Sequence, residues 1–145
     1  MSGAAADPYD LGRFLEAQGP VYGRVLAELG RGRKESHWMW FVFPQLRGLA
    51  RSATAVRYAI ASRAEAEAYV AHPTLGHRLR ECAGLVAAIP ARPVVEIFAP
   101  PDDLKLRSSM TLFAAVDPGC LVFRAVLDRF FGGQDDPETL RLLAG

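Results

Sequence analysis

The chain has 145 residues, half of them hydrophobic and 23% charged, which is the composition of a globular protein. A chain of this length buries roughly 68–70% of its unfolded surface and needs no disulfide or metal staple. With 17 basic and 16 acidic side chains the formal charge is +1, so no global field draws the molecule to nucleic acid or to a membrane surface.

In chain order the pattern is helical almost throughout. Residues 1–6 read as a small-residue, disordered tail, and a single α-helical domain is expected over 7–145. Asp7-Pro8 has the form of an N-cap followed by proline at the first helical position. Leu11, Phe14 and Leu15 continue that helix to the break at Gly19-Pro20. Val21, Val25, Leu26 and Leu29 mark a second helix, stopped by Gly30 and Gly32.

Residues 34–45 then place two Trp and two Phe within six positions, beside Lys34, His37 and Gln45. Large aromatics bury about 150–250 Å² each, so this stretch either sits deep in the fold or floors a pocket. It is expected to form a short buried helix ending by Val42 or Phe43, because Pro44 pushes Phe43 out of the helical region.

Val56 and Ile60 give an amphipathic turn or two, and Ser62-Arg-Ala-Glu65 has the form of a capping box. His72-Pro73 ends one helix, and Leu75, Leu79, Cys82, Leu85, Val86 and Ile89 line the face of a longer one. A short Val94–Phe98 element precedes Pro100-Pro101-Asp102-Asp103, which opens another helix. Leu121–Phe131 and the segment after Asp136-Pro137 complete the series, with Gly132-Gly133 as the stop between them. The expected architecture is all-α, a compact bundle of about seven or eight short helices.

Cys82 and Cys120 are the only cysteines, and no Cys/His cluster has metal spacing. The pattern points to free thiols, a reducing cytoplasmic setting, no metal and no cofactor. Cys82 falls on an apolar stripe as an inert core thiol. The first residues lack the basic and apolar regions of a signal peptide, and no apolar run approaches the ~20 residues that span a bilayer. No P-loop, GxGxxG, HExxH or GxSxG motif is present.

Chemistry is therefore sought in two segments. On the helix opening at Asp102, a wheel at about 100° per residue puts Leu106, Met110, Leu112, Phe113 and Val116 on one broad apolar face. Ser109 falls in its middle, and Asp102 and Lys105 line up on the same side, with Arg107 and Ser108 adjacent. A pocket at this helix N-terminus would favour an anion. The local alternative has Asp102 capping the helix, Ser109 bonding back to the Lys105 carbonyl and Lys105 snorkelling.

In the aromatic stretch, His37 is suited to general-base chemistry. Trp38 and Trp40 could stack on a base or sugar, or simply fill the core. Gln45 would read an amide or base edge, or close a turn. Arg31, Arg33 and Lys34 form a local basic run, but Glu28 and Glu35 flank it, and the net charge argues against a nucleic-acid partner.

The candidate catalytic residues are thus His37 and Asp102. The candidate ligand-binding residues are Lys34, Trp38, Trp40, Gln45, Lys105, Arg107, Ser108 and Ser109. The expected ligand is an anionic small molecule, nucleotide- or ADP-ribose-like, bound in a pocket between residues 34–45 and 102–109. The alternative is a non-enzymatic helical protein-interaction module. A monomer or weak homodimer with no membrane contact is expected in either case.

Several strings carry a resemblance: Asp7-Pro-Tyr-Asp-Leu11, Gly32 to Leu46, Pro101 to Phe113, and Phe130-Phe-Gly-Gly133 with Thr139-Leu140 downstream. Through them the chain resembles a small bacterial domain-of-unknown-function family of conserved hypothetical proteins, sometimes mislabelled calpastatin. The resemblance implies a compact, mainly helical single domain and brings no established activity, cofactor or catalytic residue. The inhibitor label conflicts with the globular composition, since such an inhibitor would be disordered.

Overall fold

The structure, a computed structural model, describes residues 6–145; apart from Ala6, the tail expected over 1–6 lies outside them. Ten α-helices follow in order: α1 Gly12–Gln18, α2 Tyr22–Gly30, α3 Met39–Val42, α4 Ala53–Arg57, α5 Arg63–Ala71, α6 Pro73–Ala87, α7 Val94–Ile97, α8 Asp102–Val116, α9 Leu121–Phe131 and α10 Pro137–Ala144. The class is all-α as expected, but the count of seven or eight is corrected to ten. The surplus is short helices: α3, α4 and α7 have four, five and four residues, too few to show a helical period.

The helix starts are local chemistry. Ser62 Oγ accepts from the Glu65 amide at 3.1 Å, and Asp136 Oδ2 from the Thr139 amide at 3.1 Å. His72 caps α6 with its imidazole, Nδ1 accepting from the Thr74 and Leu75 amides at 3.1 and 3.2 Å. The first helix starts later than Asp7-Pro8 suggests. Asp7 accepts from the Leu11 and Gly12 amides at 2.8 and 2.9 Å, so it caps a turn over 7–10 that leads into α1.

α5, α6, α8 and α9 surround one apolar core in which Phe14, Tyr69, Phe113 and Phe123 are fully buried. Tyr69 stands edge-on to Phe14, with centroids 5.0 Å apart, and tilts against Phe113 at 5.4 Å. Cys82 lies in this core, and burial pushes its thiol up to about 12, which keeps it protonated and inert. Two loops are joined by a single parallel bridge, Leu46 to Ile60, closed by Arg47 N–H to Ile60 O at 2.7 Å and Ile60 N–H to Gln45 O at 2.8 Å. Among the described residues no helix is long and apolar enough to cross a membrane.

Candidate functional site

The site is built outward from a carboxylate that looks solvated in the sequence. Glu28 lies on the inner face of α2 with Val25 and Leu29, only 2% exposed. Its Oε1 accepts from the backbone amides of Glu35 and Ser36 at 2.8 and 3.0 Å and from the Trp38 indole at 2.8 Å. Its Oε2 accepts from the Ser36 hydroxyl at 2.5 Å. Burial alone would raise this carboxyl, but the four hydrogen bonds outweigh it and hold the group down at about 2. Glu28 thereby folds the turn that delivers the aromatic stretch.

That turn carries Lys34 toward α7 and α8. Its amide donates to Ile97 O at 2.9 Å, and its ammonium donates to Ser36 O at 2.6 Å. The same ammonium pairs with Asp102 Oδ2 at 2.8 Å and lies 5.1 Å from the Trp38 ring centroid. Asp102 Oδ1 faces Lys105 Nζ at 3.9 Å, and Lys105 in turn lies 5.2 Å over the Trp40 ring. The two segments, distant in sequence, therefore meet. Two ammonium groups and one carboxylate share a corner with an indole beneath each cation.

The candidate residues divide within this frame. Lys34, Asp102, Lys105 and Trp40 form the corner. Trp38 is only 1% exposed and packs against Phe43 and Phe98, with centroids at 6.2 and 6.5 Å. Of the two readings of Trp38, stacking on a ligand or filling the core, this packing supports the second. His37 is exposed and forms no ion pair with a described carboxylate, and Asp102 is engaged by the lysines. Gln45 and Trp40 border a narrow cleft with Tyr58 that encloses about 10 Å³, room for one water.

Arg107 and Ser108 leave the site. The Arg107 guanidinium donates to Gln134 O at 3.1 Å and Asp135 O at 2.6 Å and makes no ion pair with Asp103, four residues before it. The Ser108 hydroxyl shares its one proton between Leu104 O and Asp136 Oδ2, each at 3.1 Å. Both side chains fasten the segment leading into α10 onto α8. Ser109 is fully buried, and its hydroxyl finds no partner among the described residues, so the back-bond to Lys105 does not form.

The corner is open rather than enclosed. A hollow of about 370 Å³ beside Lys34 is bordered by Arg33, Arg92 and Glu96. Neither it nor the Trp40 cleft is walled by residues 102–109. Lys105 is the cation with hydrogen-bonding capacity to spare, because Lys34 already serves Ser36 and Asp102. Sequence reasoning missed Glu28. Two signals pointed to it: its place three residues after Val25 on the apolar stripe, and the need of a buried indole N–H for an acceptor.

Fold and corner together define an all-helical protein with a charged, indole-lined junction between its second loop and its eighth helix. The chain belongs to the family described as "Protein of unknown function (DUF1810)", whose model matches residues 8–143. It is similar to the conserved hypothetical protein Rv1873 from Mycobacterium tuberculosis, known from a crystal structure. The two share 57% identity with a TM-score of 0.94, over 96% of this chain and 99% of that one. No curated protein matches the chain.

Proposed function

We propose that the protein binds an anionic small molecule of the nucleotide or ADP-ribose class at the Lys105–Asp102–Trp40 corner. One observation carries this reading: the Lys105 ammonium sits over the Trp40 ring and beside the first turn of the 15-residue helix α8. A phosphate there would meet a cation with free donors and the positive end of the helix dipole. Asp102 would accept from ligand hydroxyls. His37, exposed after the Glu28-folded turn, is the group available for proton transfer.

The reading as a protein-interaction module draws less support. Among the described residues Val56, Val95, Leu104, Leu121 and Leu140 are the large exposed apolar side chains, and each belongs to a different helix. One exposed apolar side chain per helix is ordinary for a protein surface.

A thermal-shift series with AMP, ADP and ADP-ribose at millimolar concentration tests the proposal. A rise in Tm with ADP-ribose, which carries no terminal phosphate, that Lys105→Met abolishes is the expected outcome. No rise with any of the three ligands sinks it.

A further inference from the structure

A second polar cleft lies away from this corner, between the 8–10 turn, the end of α4 and the start of α5, with a volume of about 490 Å³. Its frame is Arg13, whose side chain is only 10% exposed. The guanidinium donates to Tyr9 O at 2.7 Å, Asp10 O at 2.8 Å, Arg57 O at 2.8 Å and Ala59 O at 2.8 Å, and it pairs with Glu65 at 2.7 Å. One side chain thus clips both walls together. Its own charge is answered by Glu65, so Arg13 shapes the cleft and is not free to bind.

The walls carry charge that the fold does not use. Arg47 is fixed at the rim through its backbone bond to Ile60, yet its exposed guanidinium joins no ion pair among the described residues. Arg57 is likewise exposed and joins no ion pair among the described residues; its guanidinium lies 5.5 Å from the Tyr58 ring centroid, and the Tyr58 hydroxyl beside it, with Asp10 nearby, favours its charged form. Asp10 faces them with a left-handed backbone, φ 52°, the one non-glycine residue described with positive φ. Arg13 holds it there through the Asp10 carbonyl. Aspartate tolerates this conformation better than most residues, and such strain persists only where surrounding structure enforces it.

We propose that this cleft binds a small phosphate monoester bearing hydroxyl groups. Planar guanidinium forks match a phosphate in two-pronged geometry, and Arg47 and Arg57 would approach it from separate walls. Asp10 would accept hydrogen bonds from the hydroxyls of the same molecule. The site is distinct from the Lys105 corner and does not rest on it.

Calorimetric titration with inorganic phosphate, glycerol 3-phosphate and glycerol tests this. Binding of both phosphates and not of glycerol is expected. Arg47→Met with Arg57→Met should weaken both by roughly tenfold or more, with circular dichroism confirming the fold. Asp10→Asn should weaken glycerol 3-phosphate and spare inorganic phosphate. Lys105→Met should change neither, which separates this proposal from the preceding one. Absence of binding at 10-millimolar-scale ligand, about the weakest useful affinity, overturns it. So does binding that persists in the double arginine variant or vanishes in Lys105→Met.

Discussion

Glu28 is a charge on the wrong side of its helix by any hydropathy rule, and its four donors explain why it stays there. In Glu28→Gln, a carboxamide can accept at one end only and turns its NH2 toward another donor. Such a change should destabilise the protein by about 2–4 kcal/mol, read as a lower urea midpoint. The carboxyl also sets an acid limb. Its folded value of about 2 lies below the ordinary 4.5 of a free glutamate, so its contribution is complete above the unfolded value and is lost as pH falls from about 4.5 through 2. Linkage puts that contribution at roughly 3 kcal/mol. Urea midpoints measured between pH 6 and pH 2 should therefore fall more steeply for the wild type than for Glu28→Gln; parallel curves would show that the four bonds do not hold the carboxylate. Ser109 presents the reverse case, a buried hydroxyl with no described partner. Deleting it in Ser109→Ala should leave stability unchanged or raise it by up to about 1 kcal/mol, whereas Ser108→Ala, which removes a proton shared by two acceptors, should cost about 1 kcal/mol. A loss at Ser109 as large as that at Ser108 would reveal a partner such as a trapped water.

Between elements, the α5–α6 junction turns on Gly76. A Cβ there would stand 2.1 Å from Val70 O, a backbone atom that cannot swing away. Gly76→Ala should therefore destabilise by roughly 1–3 kcal/mol despite the better helix propensity of alanine. Gly84, on the same helix, is the control: nothing lies within 4 Å of its would-be Cβ. Gly84→Ala should stabilise by up to about 1 kcal/mol, and thermal melts of the two variants should move in opposite directions. This junction also shows what local patterns convey. Ser62 caps α5 as its spacing suggests, but Glu65 does not return to Ser62; it bonds the Ala61 amide at 3.2 Å and Arg13. The sequence pattern identifies the helix start, and a tertiary partner then takes the carboxylate. Helices with a local end signal and two turns of apolar period, such as α6 with its His72 cap and α9 with its Gly132 stop, are legible in the same local way. α3 and α7, with one turn each, were visible only through proline and burial.

At the scale of the whole molecule, what the sequence concealed is pairing at long range. The aromatic stretch and the α8 start could be singled out as unusual, and the structure does join them through Lys34 and Asp102. Which side chains face that junction was not legible, because Trp38, Arg107 and Ser108 are drawn off by Glu28, the 134–135 carbonyls and Asp136. Arg13 passed unnoticed for the same reason: its partners at 57, 59 and 65 are set by how α1, α4 and α5 pack, and nothing in its neighbours announces them. It is also the strongest test of how the first third of the fold is held. Arg13→Met leaves Glu65, 4% exposed, as a charge without its cation and frees four carbonyls at once. Breaking one side of a buried pair costs about 3–5 kcal/mol. The double variant Arg13→Met/Glu65→Leu removes the stranded charge and should recover part of that loss, though not the carbonyl bonds. Urea unfolding of the two single variants and the double variant gives the coupling energy directly. A double variant no more stable than Arg13→Met would mean that the guanidinium acts through the backbone of 9–10 and 57–59, and that its pairing with Glu65 is incidental.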